Sequence, residues 1–159
     1  MGQAEERLRA LGLTLPEPFR MPPGMPFPFA PVLVVGGLAY VSGHGPADGA
    51  KLLLQGTLGG GGLSVEQGYE AGRLTALSVL ASLKAALGEL DRVQQWLRVA
   101  GYVRCTPDFL QTTRVMNGFS ELILSVYGDP AGRHARVAPG VVSTPLGMPL
   151  VVEATVALG

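Results

Sequence analysis

The side chains that could carry acid–base or nucleophilic chemistry are few in this sequence: His44, His134 and Cys105. His44 falls in a predicted turn, where its ring either titrates near neutral pH as an acid or base or is simply solvated. His134 stands between Arg133 and Arg136, where it either polarises a binding site or packs within its loop. Cys105 ends a predicted strand without an evident histidine partner, and such a thiol is more often a small buried apolar group than a nucleophile.

Motifs for a bound cofactor, a metal or a lipid are incomplete. The glycine run 59–62 suggests a phosphate-binding loop, but no Lys-Ser or Lys-Thr follows it. Met1-Gly2 starts like a myristoylation signal, yet Glu6 stands where serine or threonine is needed. The chain has too few cysteines and histidines for a structural zinc site. We therefore expect no metal and no other cofactor, and we expect residues 59–62 to form a flexible loop near the cleft.

Composition narrows the class of protein. The length of 159 residues fits one domain, and the net charge of zero argues against a nucleic-acid partner. Hydrophobic residues make up 47% of the chain and the mean hydropathy is +0.32, which a buried subunit interface would explain. No apolar run reaches the ~18 residues of a membrane span, and the charged N-terminus lacks a signal-peptide core. We expect a cytoplasmic protein, which suits a lone free thiol.

The N-terminal part alternates extended segments with turns. Seven prolines in residues 16–31 predict an extended arm rather than a regular element. Two apolar runs around Gly36-Gly37 predict a β-hairpin. The predicted elements are a short helix over 3–11, hairpin strands over 32–35 and 38–42, a turn over 44–50 and a third strand over 51–58.

Two long helices alternate with the remaining strands. Ser64 with Gln67 forms a capping box, and apolar residues at spacings of three and four predict a helix that continues to Leu87 before Gly88. A second helix is predicted to open at the TPDF segment, residues 106–109, and to close at Gly128. Further strands are predicted over 96–105, around 137–143 and over 149–158.

This order predicts an α+β two-layer sandwich, in which a mixed β-sheet carries two long helices on one face. The other face of the sheet must then be covered. No segment of the chain is left to cover it, so the sequence predicts that copies of the chain associate.

Four sequence blocks carry a resemblance to a known family. They are AYVSG (39–43), ALGELDRV (86–93), VRCTPDFLQTTRVMNGFSELI (103–123), and GRHAR (132–136) followed by VVSTPLGMPLVVEA (141–154). In this order they resemble the RidA family, also called YjgF, UK or L-PSP endoribonuclease-like, in its longer-chain branch. The resemblance implies a chorismate-mutase-like domain over 31–159, with residues 1–30 as an arm. It also implies a homotrimer whose three sheets line a central barrel, with a ligand cleft at each subunit interface.

The resemblance also implies which residues bind a ligand. Arg136 would hold the carboxylate of a small 2-imino or 2-oxo acid, for which a guanidinium offers a matching pair of donors. The alternative for Arg136 is an ion pair, for example with Glu153. Ser42 and Gly43 would border the cleft and receive a ligand oxygen, or they merely end a strand. Asn117 matches a family position and is expected to bond backbone at the subunit contact.

Departures from the family's deaminase pattern put catalysis in doubt. Phe29 replaces a tyrosine and lacks its hydroxyl, and Ala138 stands where those members often carry cysteine. Val151 takes the place of the glutamate that positions the attacking water. Glu153, two residues later and on the same side of the strand, and His44, where many relatives carry glutamine, are the candidates to replace it.

These residues together predict a site for a small carboxylate. The protein either hydrolyses enamines or imines to 2-oxo acids at this site or only binds a metabolite there without catalysis. The first alternative would make the protein a deaminase, a hydrolase acting on carbon–nitrogen double bonds. Endoribonuclease activity is the weakest alternative, because zero net charge and few histidines suit RNA poorly. Chorismate mutase chemistry would rest on fold analogy alone.

Overall fold

One mixed six-stranded sheet organises the chain, whose computed structural model describes residues 2–159. The strands are β1 (Val32–Val35), β2 (Leu38–His44), β5 (Val93–Arg104), β6 (Ala135–Val137), β7 (Gly140–Val141) and β8 (Leu150–Leu158), with β3 (Ala47–Asp48) and β4 (Lys51–Leu52) paired separately. The sheet order is β1-β2-β8-β5-β6, and β7 also pairs with β5. Pairing is antiparallel from β1 to β5 and parallel between β5 and both β6 and β7.

Within residues 2–159, three α-helices complete the fold: α1 (Gln3–Ala10), α2 (Val65–Leu87) and α3 (Thr112–Tyr127). The long helices α2 and α3 lie on the same face of the sheet, and the apolar core between them and the sheet includes Trp96, Phe119 and Leu80. The α+β sandwich with two long helices on one face is therefore confirmed. The capping box is also confirmed, since the Ser64 hydroxyl accepts from Gln67 N at 3.1 Å and the Gln67 side chain accepts from Ser64 N at 2.9 Å.

Glycines let α2 and α3 approach backbone to backbone. A Cβ on Gly72 would lie 2.6 Å from the carbonyl oxygen of Val115, and one on Gly118 would collide with the carbonyl oxygen of Tyr69. Neither carbonyl can move without breaking its own helix. This close contact fixes where α3 presents its polar side chains, Asn117 and Ser120.

Some predicted elements differ from the structure. The helix α3 begins at Thr112 rather than in TPDF, because the amide of Thr106 donates to Leu58 O at 3.0 Å and the next residues form a turn. The strand predicted over 51–58 is reduced to Lys51–Leu52, which pairs only with β3, while Leu58 forms isolated bridges. The strand predicted around 137–143 is split, because Ala138-Pro139 separates β6 from β7.

Two predicted loops are more ordered than expected. The turn expected over 44–50 contains β3 and the tight turn that leads to β4, and β2 continues into it through His44. The glycine run 59–62 is a tight turn in which Gly59 N donates to Leu63 O and Gly62 N donates to Gly59 O. Its first three glycines have positive φ, a conformation that glycine adopts at no steric cost.

Residues 2–30 pack on their own chain. The carboxylate of Asp91 accepts from the amides of Gln3 and Ala4 at 2.7 and 2.8 Å, and so caps the N-terminus of α1 from another part of the chain. Lys84 pairs with Glu5 at 2.8 Å. The extended arm then exchanges backbone hydrogen bonds with Gly49 and buries Phe19.

The sheet face opposite the helices carries exposed apolar side chains. Alternation along the paired strands places Leu33, Val35, Tyr40 and Val137 on this face, each at least 44% exposed. The same alternation places Val151 and Glu153 there. We call this surface the open face. Across residues 2–159, no helix is long and apolar enough to cross a membrane.

Replacing Gly118 with alanine tests the close helix contact. Alanine normally stabilises a helix interior by roughly 0.5–1 kcal/mol relative to glycine. Here the added methyl group meets the carbonyl oxygen of Tyr69, so we expect Gly118→Ala to lower the free energy of unfolding by about 1–3 kcal/mol. Urea unfolding followed by circular dichroism measures it, and a stabilised variant would contradict the contact.

Candidate functional site

Arg136 lies on an edge strand and points toward α3. In β6 it pairs with Val99, which belongs to the buried face of β5. Its Nη1 donates to Asn117 Oδ1 at 3.1 Å and to Ser120 Oγ at 3.0 Å. Within the described residues, Nε and Nη2 make no hydrogen bond and no carboxylate lies within ion-pair distance of this side chain. Nη1 is thus held. The edge formed by Nε and Nη2 is free, and its two parallel N–H groups match the two oxygens of one carboxylate.

Two of the residues predicted to bind substrate, Arg136 and Asn117, are therefore in direct contact. Asn117 uses its side chain on Arg136 rather than on a backbone group of its own chain. The alternative of an ion pair between Arg136 and Glu153 is not observed. Desolvation by partial burial lowers the pKa of Arg136 from its ordinary value, but a guanidinium stays charged at any physiological pH.

Ser120 links Arg136 to His134. The His134 ring bonds Gly132 O through Nδ1 at 2.8 Å and Ser120 Oγ through Nε2 at 2.8 Å. A carbonyl only accepts, so Nδ1 carries the proton, neutral Nε2 accepts the Ser120 hydroxyl, and the serine oxygen remains free to accept from Arg136. Burial lowers the pKa of His134 first of all, and the nearby Arg136 and Arg133 lower it further, which favours this neutral form.

A second set of candidate residues lines a groove on the open face. The groove measures about 460 Å³ and is formed by the arm and by strands β1, β2 and β8. Its lining includes three predicted site residues, Phe29, Ser42 and Glu153, together with Leu33 and Tyr40. The structure thus brings these three together. We refer to this space as the groove.

Ser42 is tied to the arm at its backbone and its side chain. Its amide donates to Pro31 O at 2.9 Å, and its hydroxyl donates to Ala30 O at 2.6 Å. Because the carbonyl of Ala30 can only accept, the hydroxyl proton is already used. The Ser42 oxygen therefore offers lone pairs to the groove, and in this arrangement it does not donate to a ligand oxygen as the sequence suggested.

Gly43 gives Val151 room on the open face. A Cβ at position 43 would lie 2.8 Å from Val151 Cγ1, closer than real Cβ contacts allow. The register of β2 and β8 shifts between Val41 and His44, so Gly43 lies within this irregularity. The absence of a side chain at position 43 is thus a packing requirement.

His44 is not a solvated turn residue, and that expectation is wrong. Its side chain has no exposed surface, because β2 continues through it and turns it toward α2. Nδ1 bonds Ser42 O at 2.6 Å and Nε2 bonds Ser82 Oγ at 2.8 Å. The ring of Phe19 from the arm lies against it, with centroids 5.6 Å apart. With both nitrogens occupied beneath the sheet, His44 fixes Ser42 in place and has no path to the groove.

Phe29 reaches the groove through a series of aromatic contacts. The rings of Phe19 and Phe27 meet edge to face at 6.2 Å, and those of Phe27 and Phe29 at 4.4 Å. Phe19 is buried, whereas Phe29 is 53% exposed. The arm therefore anchors one end of this series in the core and presents the other end as a wall of the groove.

The Arg136 cluster and the groove lie on opposite faces of the sheet. Glu153 pairs with Ala100, whereas Arg136 pairs with the adjacent residue Val99. Successive residues of a strand point to opposite faces, so Arg136 points toward the helices and Glu153 away from them. One chain does not join the two into a single site.

Cys105 and Ala138 lie outside both clusters. Ala138 packs against the core. Cys105 lines a separate cavity of about 470 Å³ with Thr106 and Val141, and burial raises the pKa of its thiol, which disfavours the nucleophilic thiolate. Among residues 2–159, no three metal-binding side chains lie together.

Sequence reasoning missed Ser120, Tyr40 and Leu33. Ser120 stands three residues after Asn117, so a helix places both on one side, and this spacing was an available signal. Tyr40 and Leu33 alternate into the open face with Ser42, but only the fold of the arm shows that they enclose a groove.

Comparison with known proteins identifies relatives along nearly the whole chain. A family model described as "YjgF/chorismate mutase-like, putative endoribonuclease" matches residues 5–158. Protein TCP17 of Trypanosoma cruzi is 42% identical over 119 residues, which cover 75% of this chain and 74% of that protein.

Solved structures of proteins with similar sequences have the same fold. An endoribonuclease-like protein of Shewanella oneidensis is 35% identical with a TM-score of 0.88, over 99% of this chain and 100% of that one. Atu1372 of Agrobacterium tumefaciens, of unknown function, is 34% identical with a TM-score of 0.85, over 98% and 92%.

The buried His44 and the half-buried His134 predict a pH-dependent stability. Burial lowers the pKa of both His44 and His134 below the ordinary 6.5, so the unfolded chain binds more protons than the folded chain in mild acid. We expect the free energy of unfolding to be highest above about pH 6.5 and to fall as the pH drops toward the lowered values. Urea titrations at about pH 7.5 and about pH 5.5 measure this loss.

Glutamine substitutions show how much of the stability loss in acid comes from each histidine. His44→Gln and His134→Gln should each lower overall stability but flatten its dependence on pH, because glutamine does not titrate in this range. A wild-type stability that is equal at the two pH values would contradict the assignment.

Proposed function

The chain belongs to the YjgF/chorismate-mutase-like family, and from this we propose that it forms a homotrimer that binds a small carboxylate of the 2-imino or 2-oxo acid type between its subunits. The observation that carries the proposal is the free edge of Arg136. A half-buried guanidinium that pairs with no carboxylate among residues 2–159, and that Asn117 and Ser120 hold through Nη1, is suited to bind an external one.

The separation of the two clusters supports a site shared between subunits. Arg136 and the groove cannot face one ligand within one chain, because they lie on opposite faces of the sheet. The apolar open face, with Val35, Tyr40 and Val137 exposed, also favours association. In the proposed trimer, Arg136 of one subunit reaches the groove of its neighbour.

Hydrolysis of imines is the second candidate activity, and Glu153 is the observation that favours it. Its side chain is the only carboxylate among the residues that line the groove, where Ser42 and Phe29 also lie. A carboxylate there is able to take a proton from an attacking water, whereas Val151 beside Gly43 is not. His44 supplies no alternative, because it is buried and bonded at both nitrogens. Binding without turnover and RNA cleavage stay as the competing functions.

Removal of the Arg136 side chain should weaken carboxylate binding. We expect Arg136→Ala to weaken binding of 2-oxobutyrate at least about tenfold, because the charged bidentate partner is lost. Calorimetric titration measures this. Arg133→Ala is the matched control, since Arg133 lies three residues before Arg136 but pairs with Asp129 on the surface.

Sedimentation of the same samples tests the assembly. We expect a species of three chains of 16.5 kDa each. A monomer that binds 2-oxobutyrate as tightly as the assembly would contradict the shared cleft, and equal binding by wild type and Arg136→Ala would contradict the role of Arg136.

Decay of 2-iminobutyrate generated in solution tests catalysis. If Glu153 assists the attacking water, the wild type should accelerate decay about 10²-fold or more over Glu153→Gln, in line with general base catalysis. Val151→Glu, which adds a carboxylate to the same face, should raise the rate further. Decay no faster than in buffer, together with tight 2-oxobutyrate binding, would favour the non-catalytic alternative. Cleavage of RNA at low salt would instead favour the endoribonuclease alternative.

A further inference from the structure

The hydrogen bond between His44 and Ser82 joins a base to a hydroxyl group beneath β2, away from both Arg136 and the groove. We propose that these two residues, which we call the dyad, form a second catalytic site, in which Ser82 Oγ is a nucleophile that hydrolyses esters of short apolar acids. The site lies between α2 and the proline-rich arm, and it is independent of the carboxylate site proposed above.

Hydrogen-bond accounting fixes the tautomer of His44. Its Nδ1 lies 2.6 Å from Ser42 O, and a carbonyl oxygen only accepts, so Nδ1 carries the proton. In the neutral ring Nε2 is then an acceptor, and the Ser82 hydroxyl donates to it at 2.8 Å. Burial lowers the pKa of His44, which favours the neutral ring. A hydroxyl that donates to a neutral imidazole, whose other nitrogen is held by a third group, is the arrangement that activates a serine.

Ser82 departs from the usual bonding of a hydroxyl within a helix. Such a group normally donates to the carbonyl oxygen four residues earlier in its own helix. Thr75 does so in α2, where its Oγ1 donates to Ala71 O at 2.7 Å. Ser82 instead donates across to the sheet. The helix therefore does not account for the orientation of its hydroxyl, and the imidazole does.

A cavity of about 250 Å³ lies beside the dyad and gives a substrate access to Ser82. Ser82 is the only polar side chain among the six residues that line it, and the other five are Pro18, Pro31, Val32, Ala85 and Ala86. Ser82 is 3% exposed, whereas Pro18, Ala85 and Ala86 are exposed and form the rim. The cavity therefore opens to solvent, and its size and apolar walls suit a short acyl chain.

The amide of Val32 is a free donor at the same cavity. β1 is an edge strand, and the bond from Ser42 N to Pro31 O at 2.9 Å makes residues 31 and 42 a hydrogen-bonded pair. Such pairs alternate with non-bonded ones, so Val32 opposite Val41 is non-bonded and its N–H points away from β2. Pro18 and Pro31 have no N–H, and the lining residues of α2 use theirs within the helix. Val32 N is thus the backbone donor that the cavity offers to a developing oxyanion.

Ester hydrolysis at this site takes two steps. In the first, Ser82 Oγ attacks the carbonyl carbon, its proton passes to His44 Nε2, and the carbonyl oxygen becomes an oxyanion that accepts from Val32 N. The bond to the alcohol oxygen then breaks, and the alcohol leaves with the proton from Nε2 while the acyl group stays on Ser82. In the second, water attacks the acyl carbon and gives a proton to Nε2, and Ser82 regains this proton as the carboxylic acid departs.

Diisopropyl fluorophosphate tests the nucleophile in the wild-type protein, because an activated serine displaces its fluoride. We expect peptide mapping by mass spectrometry to find the phosphoryl group on Ser82. Ser78 is the internal control, since it is a buried serine one turn earlier in α2 whose hydroxyl bonds no group within residues 2–159. Label on Ser82 and not on Ser78 supports the proposal. A wild type that is unlabelled at Ser82, or labelled equally at both serines, overturns it.

Release of 4-nitrophenol from 4-nitrophenyl acetate tests turnover by the full-length protein. We expect Ser82→Ala and His44→Gln to lower the rate above buffer at least about 10²-fold, because each removes one half of the dyad. Ser78→Ala is the matched variant and should keep the wild-type rate. Circular dichroism checks that each variant is folded, and if His44→Gln does not fold, the two serine variants decide. Equal rates for the wild type and folded Ser82→Ala overturn the proposal.

Discussion

The alternation of side chains along β8 is the constraint on which both the core and the groove depend. Leu150, Val152, Ala154 and Val156 face the helices, while Val151 and Glu153 face away. Because β8 pairs with β2 on one side and β5 on the other, its register is held along its whole length. A shift by one residue would bury a carboxylate and expose four apolar side chains, so folding of the core also positions Glu153.

The same alternation separates the chemistry of the chain into two halves. Arg136 points from β6 toward α3, where Asn117 and Ser120 accept hydrogen bonds from its Nη1. The groove lies on the opposite face. There the Ser42 hydroxyl has already donated its proton and Glu153 is a carboxylate, so both side chains offer acceptor oxygens. Arg136 and the groove do not meet within one subunit, so they act on one ligand only in the trimer that we propose.

Sequence reasoning predicted the elements whose signals are local. The capping box at Ser64, the spacing of apolar residues in α2 and the apolar pattern of β8 needed no knowledge of distant contacts. The start of α3 was wrong because the amide of Thr106 is taken by Leu58, nearly fifty residues away in sequence, as the hydrogen bond between them shows. His44 was misjudged for the same reason, since its burial depends on Phe19 and Ser82, which no local pattern connects to it. The family resemblance led to Arg136 and Asn117, but the donor or acceptor character of Ser42 depends on one carbonyl of the arm.

The proline-rich arm supplies part of the groove from outside the sheet. It is anchored at one end by Phe19 and supplies Phe29 and Ala30 to the groove at the other. Neither Phe29 nor Ala30 belongs to the sheet, so substitutions at these two positions alter the groove without changing a strand residue. If the groove binds the ligand as proposed, part of the wall that selects this ligand therefore lies outside the sheet, and a new preference can evolve there at little cost to the core.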